Sequence, residues 1–282
     1  MNGVVAWRGG RAVRRDDRAA AEEPLEIRLA GCSVAVTMRT PGDDLDLAAG
    51  FLFTEGIIHG LADIAAITHC LTDDPEAEGN VVNVNPVDPA LVDPDRWRRN
   101  FFATSSCGVC GKASIDQVRR EIPPLAPGPR ISPDTLYRVA AELRGTQEVF
   151  SATGGLHAAA LYDAVGYLET AREDIGRHNA VDKVIGDALR RDQLPLTDRI
   201  LMVSGRLSFE VVQKALAASI PIVAAVSAPS SLAVELARAA GMTLVGFLRV
   251  EPTSRFNVYS GAERIDDAAE LPRRHRLRGY PV

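Results

Sequence analysis

Two cysteines, Cys107 and Cys110, stand two residues apart in Phe102-Ala-Thr-Ser-Ser-Cys107-Gly-Val-Cys110-Gly-Lys112, between glycines and hydroxyl side chains. A Cys-x-x-Cys pair can ligate a metal, exchange disulfides or carry sulfane sulfur. A glycine-flanked loop leaves its thiols accessible. The cation of Lys112 favours the thiolate, the form that attacks a disulfide or accepts sulfur. Structural zinc asks for four ligands, and this pair supplies two. A thioredoxin-type dithiol belongs between a strand and a helix at the start of a βαβ unit. This pair instead comes after a loop rich in Asp and Pro and precedes a proline-rich stretch. That placement suits a persulfide carrier better, yet the motif alone leaves sulfur transfer and dithiol redox both open, and a purely structural pair is the bland alternative.

A second group of polar residues lies where apolar runs end. Residues 200–203, 222–226 and 242–248 read as strands. They lead into Ser204-Gly205-Arg206-Leu207-Ser208, Ser227-Ala228-Pro229-Ser230-Ser231 and Arg249 respectively. Ligands of open α/β sheets bind beyond the carboxyl ends of the strands. Strand-to-helix turns expose backbone N–H groups that suit phosphate, and Arg206 and Arg249 add cations that fork onto phosphate oxygens. Any one serine is equally a plain N-cap. Three polar strand ends on one edge predict an anionic, phosphate-bearing ligand. The loop is not a P-loop, because no G-x-x-x-x-G-K-[ST] is present.

Glu173-Asp174-Ile175-Gly176-Arg177-His178-Asn179-Ala180-Val181-Asp182-Lys183 is the third group. His178 and Asp182 are four apart and share a helix face that is not the apolar one. A solvated helix start explains part of this. A polar site lined by His178, Asn179, Asp182 and Lys183, with Arg177, is the sharper expectation. In Thr153-Gly154-Gly155-Leu156-His157 the glycine pair permits positive φ or close ligand approach, while His157 is equally a satisfied, half-buried histidine.

The elements that position these groups are set by periodicity and punctuation. Residues 25–29 and 34–38 predict a hairpin around Gly31-Cys32. Asp43 and Asp44 open a helix carrying Leu45, Ala48, Ala49 and Leu52, and Gly56 ends it. Residues 81–84 predict a strand. Four prolines and a glycine in residues 122–129 exclude a helix or central strand and mark a linker over 122–130. Beyond it, Ser132 and Pro133 start a helix to residue 143. A strand pair comes next over 155–162 and 167–170, then helices over 177–190, 209–218 and 232–240 alternate with the three strands named above. The expected fold class is therefore α/β, with a larger layered domain over 131–262 and a smaller α+β domain over 22–121 that bears the cysteine loop. A flexible arm is expected over 1–21 and a basic tail, with Arg273, Arg274, Arg276 and Arg278, over 263–282.

With 282 residues, 46% hydrophobic, the chain can bury a substantial core, and a net charge of -5 argues against generic nucleic-acid binding. Four cysteines, of which Cys32 and Cys70 are solitary, suit a reducing compartment. No segment reads as a secretory signal, and no apolar run approaches the roughly 18 residues of a membrane span. A cytoplasmic setting is the expectation. The element order is similar to that of the cytidine-deaminase-like fold. That fold's zinc enzymes carry H-x-E and P-C-x-x-C, where this chain has His178-Asn179-Ala180 and Pro229-Ser230-Ser231. No metal is expected there, although zinc shared with another subunit through Cys107 and Cys110 stays open.

Seven blocks in one order resemble the formate dehydrogenase accessory sulfurtransferases of the FdhD family, over residues 24–259. They are Met38-Arg39-Thr40-Pro41 with Gly50-Phe51-Leu52 and Thr54-Glu55-Gly56; the cysteine loop; Thr153-Gly154-Gly155-Leu156-His157; Glu173 to Lys183; Ser204-Gly205-Arg206; Ser227-Ala228-Pro229; and Gly246-Phe247-Leu248-Arg249. The resemblance implies a sulfur carrier that takes sulfur from a cysteine desulfurase. It would pass that sulfur to the molybdenum bis-guanine-dinucleotide cofactor, bound as substrate, before insertion into formate dehydrogenase. Cys107 would hold the persulfide, with Cys110 assisting or resolving. Guanine nucleotide halves would sit on the α/β domain at Phe247, Leu248, Arg249, Val250, Glu251 and Pro252, and a homodimer is implied. Alternatives from other classes are a cofactor-holding chaperone without sulfur transfer and a dithiol redox protein. One departure is visible. The link from Val250 to Arg255 is longer than the family's short glycine-containing one, and Glu251 is a poor neighbour for phosphate.

Overall fold

The computed structural model describes residues 2–70, 78–91 and 124–266. Cys107, Cys110, Lys112 and the basic tail beyond Asp266 lie outside them. The chain begins with an antiparallel hairpin, β1 (Asn2–Arg8) and β2 (Arg11–Asp17). A regular ribbon thus stands within the segment where the sequence suggests a flexible arm. Gly9 and Gly10, both at positive φ, form its two-residue turn, and Val4, Val5 and Val13 supply strand propensity among the arginines.

The smaller unit comes next. β3 (Glu23–Leu29) and β4 (Cys32–Arg39) pair antiparallel. Ala30 and Gly31 hold the positive φ of the turn, so Cys32 opens β4 rather than sitting in the turn. Helix α1 (Asp44–Thr54), β5 (Ile64–His69) and β6 (Val81–Pro86) complete the unit, with strand order β4-β3-β6-β5. Leu25, Ile27, Leu29, Val82 and Val84 point to one face and bury against Leu47, Ala48 and Leu52 of α1. β5 escapes sequence reading because it is a largely exposed edge strand with two alanines and no clean alternation.

In the larger unit, Ser132 caps α2 (Pro133–Thr146), its hydroxyl accepting the Thr135 N–H at 3.2 Å. The short α3 (Glu148–Thr153) leads to β7 (His157–Tyr162) and β8 (Leu168–Asp174). Then come α4 (Arg177–Arg190), β9 (Ile200–Val203), α5 (Phe209–Ala217), β10 (Ile222–Ala225), α6 (Ser231–Ala240), β11 (Thr243–Arg249) and β12 (Arg255–Ser260). The six-stranded sheet runs β12-β11-β10-β9-β7-β8, with β9, β10 and β11 parallel. Ile200, Met202, Ile222 and Ala224 bury against α2, while Leu201, Val203, Val223 and Ala225 bury against α4, α5 and α6. Period-2 alternation in fully apolar strands thus produces three layers, helix on both faces of the sheet.

The proline-rich stretch has no regular element over 124–130 but is not a loose tether. The Leu125 N–H donates to the Ala240 carbonyl at 2.9 Å, and Arg264 donates to the carbonyls of Ala126 and Pro127. Arg264 and Ile265, expected in the tail, belong to the fold. Ile265 is buried and bridges to Ile131. Among the described residues no helix is long and apolar enough to cross a membrane.

Helix α1 lies directly on α4, and glycine makes that possible. A Cβ on Gly50 would stand 1.9 Å from the Asp182 carbonyl oxygen, and one on Gly186 would stand 1.9 Å from that of Asp46. The two helix backbones therefore touch. Gly50→Ala or Gly186→Ala must force the helices apart, and each is expected to destabilise the fold by about 3 kcal/mol or more. Gly145, in α2 with open space around it, is the control, since alanine there is expected to stabilise by about 0.5–1 kcal/mol. Chemical denaturation of the three variants checks both signs.

Candidate functional site

The polar start of α4 divides into residues that bolt the two units together and residues that face the crevice. Lys183 is buried. Its Nζ lies 2.8 Å from Asp174 Oδ2 and donates to the Thr40 carbonyl at 2.9 Å. The Asn179 amide donates to the Met38 carbonyl at 2.8 Å and to Asp174 Oδ1 at 2.9 Å. Asp182 accepts from Thr54 of α1 at 2.8 Å and from Lys214 of α5 at 2.9 Å. Burial works against the Lys214 ammonium, yet the Asp182 and Glu55 carboxylates hold its pKa above the ordinary value. Asn179, Asp182 and Lys183 thus bind the protein to itself. The expected His178–Asp182 pair is absent, because Asp182 is taken up by Thr54 of α1 and Lys214 of α5 while His178 meets Ser208 and Glu210.

His178 turns to the crevice. Its Nε2 lies 3.2 Å from Ser208 Oγ and 3.8 Å from Glu210 Oε2. Ser208 is the N-cap of α5, but its hydroxyl makes no cap bond. Ser204, expected at the ligand, accepts the Ala158 N–H at 2.8 Å and ties β9 to β7. Gly205 is buried, and a Cβ there would lie 3.3 Å from His157 Nδ1 and 3.7 Å from Arg177 Cβ. The turn after β9, the start of β7 and the start of α4 therefore meet, and Arg206 emerges beside them, exposed. Burial and then the Arg177 cation push His157 below its ordinary pKa. The same two causes, with Lys214, push His178 down to about 4. Both rings are neutral at pH 7.

Two strands away, Phe247 sits at φ 55°, the one aromatic among the non-glycine residues described at positive φ. A bulge shifts the β11–β12 register between Gly246 and Arg249, and it turns Phe247 outward to 41% exposure. The Phe247 N–H donates to the Ser227 carbonyl at 3.1 Å. Arg249 donates to the Val226 and Leu248 carbonyls, which holds its guanidinium at the rim. Phe247, Arg249, Arg255 and Asn257 line a cavity of about 370 Å³. Leu248 is buried in the core beneath α2, and Val250 packs on that core, so their side chains face away from the cavity. Glu251 and Pro252 are exposed in the adjoining loop. Arg255 and Asn257 were missed in the sequence, although a signal was there. In Arg255-Phe256-Asn257-Val258-Tyr259 the polar residues alternate with the apolar ones and must face out. An exposed aromatic face, two guanidinium groups and an amide can stack a planar ring and bind phosphate.

Among the described residues no group of three or more His, Cys, Asp or Glu is placed to hold a metal ion. Cys32 is exposed and free, and Cys70 is free and partly exposed.

Two measurements separate these roles. Lys183→Met and Lys214→Met each strand a buried carboxylate and are expected to cost about 3–5 kcal/mol of stability, whereas Arg206→Gln is expected to change it by less than about 0.5 kcal/mol. Acid titration reads His178. Its folded pKa is depressed, so its contribution is present above the unfolded value near 6.5 and is lost as pH falls towards about 4. His178→Gln is expected to remove a component on the order of 3 kcal/mol from the stability lost between pH 7 and pH 4.

A family model described as the FdhD/NarQ family matches residues 20–266. The chain is 51% identical over 267 residues to the sulfur carrier protein FdhD of Streptomyces coelicolor, covering 93% of this chain and 94% of that one. It is 51% identical over 267 residues to that of Mycolicibacterium paratuberculosis, covering 93% and 97%. The corresponding protein of Anaeromyxobacter dehalogenans strain 2CP-1 is 49% identical over 267 residues, covering 92% and 91%. The crystal structure of a candidate formate dehydrogenase accessory protein from Desulfotalea psychrophila aligns with a TM-score of 0.74 at 28% identity, covering 94% of this chain and 98% of that one. Both the sequence of the whole described fold and its architecture lead to one assignment: the chain belongs to the FdhD/NarQ family.

Proposed function

We propose that this chain is a sulfur carrier serving formate dehydrogenase. It accepts sulfur from a cysteine desulfurase as a persulfide on Cys107, with Cys110 assisting or resolving. It delivers that sulfur to the molybdenum bis-guanine-dinucleotide cofactor, held as substrate, before the cofactor enters the enzyme. The proposed setting is the cytoplasm, where thiols stay reduced, and the proposed assembly is a homodimer. The names of the relatives support sulfur carriage and the formate dehydrogenase connection. The observation that carries the acceptor half is the cavity at Phe247, Arg249, Arg255 and Asn257, whose strained, outward aromatic residue and cations suit a nucleotide.

Intact-mass measurement after incubation with a cysteine desulfurase and cysteine is expected to show one added sulfur atom on wild type and on Cys110→Ala, and none at this position on Cys107→Ala. Cys107→Ala is also expected to lose activation of formate dehydrogenase. Retained activation would leave a cofactor-holding chaperone, and loss of the adduct in Cys110→Ala would favour dithiol chemistry. For the acceptor half, Phe247→Ala is expected to weaken guanine nucleotide binding about tenfold or more by calorimetry, the effect of losing one aromatic stacking partner. Unchanged affinity would move the nucleotide elsewhere.

A further inference from the structure

The hairpin β1–β2 takes no part in the cores of this protein. It forms a two-stranded sheet of its own, and Val4, Val5, Trp7 and Val13 enter none of the three hydrophobic clusters of the described residues. A two-stranded ribbon alone is marginally stable in water, so its apolar side chains call for a surface to lie on. The register sets Val5 opposite Arg14 and Trp7 opposite Ala12, which puts these four side chains on one face. Trp7 is 74% exposed and Val5 56%. Arg15 reaches Asp17 at 3.1 Å, whereas Arg8, Arg11 and Arg14 meet no carboxylate among the described residues. Residues 2–18 hold five arginines against two aspartates in a chain of net charge -5. The ribbon is therefore basic, and the rest of the chain is more acidic than the whole.

A matching surface lies where the ribbon leaves the body. A Cβ on Gly155 would meet that of Ala20 at 3.5 Å, and the Thr40 hydroxyl donates to the Ala21 carbonyl at 3.1 Å. The ribbon is thus rooted beside the end of α3. The Glu173 carboxylate fixes that helix by accepting the N–H groups of Val149 and Phe150 at 2.9 and 2.8 Å. Val149 and Phe150 are nonetheless 40% and 41% exposed, and Glu148 beside them is exposed too. The ribbon of the same chain leaves this patch uncovered. We propose that the β1–β2 ribbon of one copy lays Val5 and Trp7 on Val149 and Phe150 of a second copy of this chain, with Arg14 on the same face to meet Glu148. A two-fold axis satisfies both surfaces at once, since each copy gives a ribbon and receives one. The contact deepens the homodimer of the function proposed above and rests on that reading, while sulfur carriage does not depend on it. Nucleic acid is a poorer occupant of the basic ribbon, because the acidic body behind it repels a polyanion.

Sedimentation equilibrium of the full chain tests the exchange. Wild type is expected to dimerise, and more weakly as salt screens the arginines. Trp7→Ala and Phe150→Ala change exposed side chains and are expected to leave the fold intact. Each is expected to raise the dissociation constant about tenfold or more, the effect of losing an aromatic anchor at an interface. An equimolar mixture of the two variants singles out this contact, because a mixed pair regains one intact ribbon on one intact α3. It is expected to dimerise more tightly than either variant alone. Unchanged dimerisation in Trp7→Ala overturns the ribbon contact and leaves the homodimer standing. Weakening in both variants without recovery on mixing overturns the pairing of these two surfaces. A wild type that stays monomeric overturns the contact together with the homodimer, and the sulfur adduct on Cys107 then still decides the carrier function by itself.

Discussion

The contact between Gly50 and Gly186 governs the rest of the molecule. With both helices stripped of side chains at the crossing, α1 and α4 approach backbone to backbone, and the polar groups around the crossing are closed off from water. Each must then find a partner within the protein, since an unmatched buried charge costs several kcal/mol. Lys183–Asp174 and Asp182–Lys214 do this on α4, Arg39–Asp44 at the foot of α1, and Arg172 with Asp46 and Asp187 on the far side. Those pairs are directional, and a shift of one helical turn would break all of them. We therefore regard the buried charges as setting the register of the two units more than their affinity. The consequence reaches the crevice, because the N-terminus of α4 carries Arg177 and His178, and its position is dictated from below.

The same crossing explains what could be read from the sequence and what could not. Helix α4 and strand β9 fall where periodicity places them, residues 177–190 and 200–203, because apolar stripes and apolar runs report burial directly. Asp182 and Lys183, expected at a ligand site, stand in buried ion pairs, for a physical reason. A helical wheel tells which face is polar, but not whether that face meets water or another helix. Gly50 and Gly186 were the missing clue, since a glycine in each of two helices signals close approach of backbones. The hairpin β1–β2 was hidden by its arginines, and β5 by exposure on both faces. The strand ends at Arg206, Ser227 and Arg249 were legible, because parallel strands in one sheet must deliver their carboxyl ends to a common edge.

Within that edge, chemistry type and chemical role separate. Ser204 and Arg206 are two residues apart in one turn, yet the serine fastens β7 and the arginine is exposed beside the crevice. Residue types alone show what a phosphate would recruit. Only the hydrogen-bond partners show which of those groups the fold has already used.

Both corners of the crevice depart from what stability alone would select. Phe247 accepts a left-handed backbone, which costs a non-glycine residue on the order of 1–3 kcal/mol, and exposes an aromatic ring that a regular strand could bury. Arg177 puts a cation at the positive end of a helix and leaves a buried N–H without a partner, at a cost of about 1–3 kcal/mol. At the start of α4 the cap position is Gly176, where a Cβ would stand 2.9 Å from Asn179 Nδ2, and its N–H donates to Asp174 Oδ1 at 2.8 Å. Both corners lie above the junction of α1 with α4, whose buried charges are paired. That division sets a closed, charge-matched interior beneath an open edge that carries Arg206, Phe247 and Arg249. The interior pairs its charges, because an unmatched one there costs several kcal/mol, whereas a cation at the edge keeps its solvation.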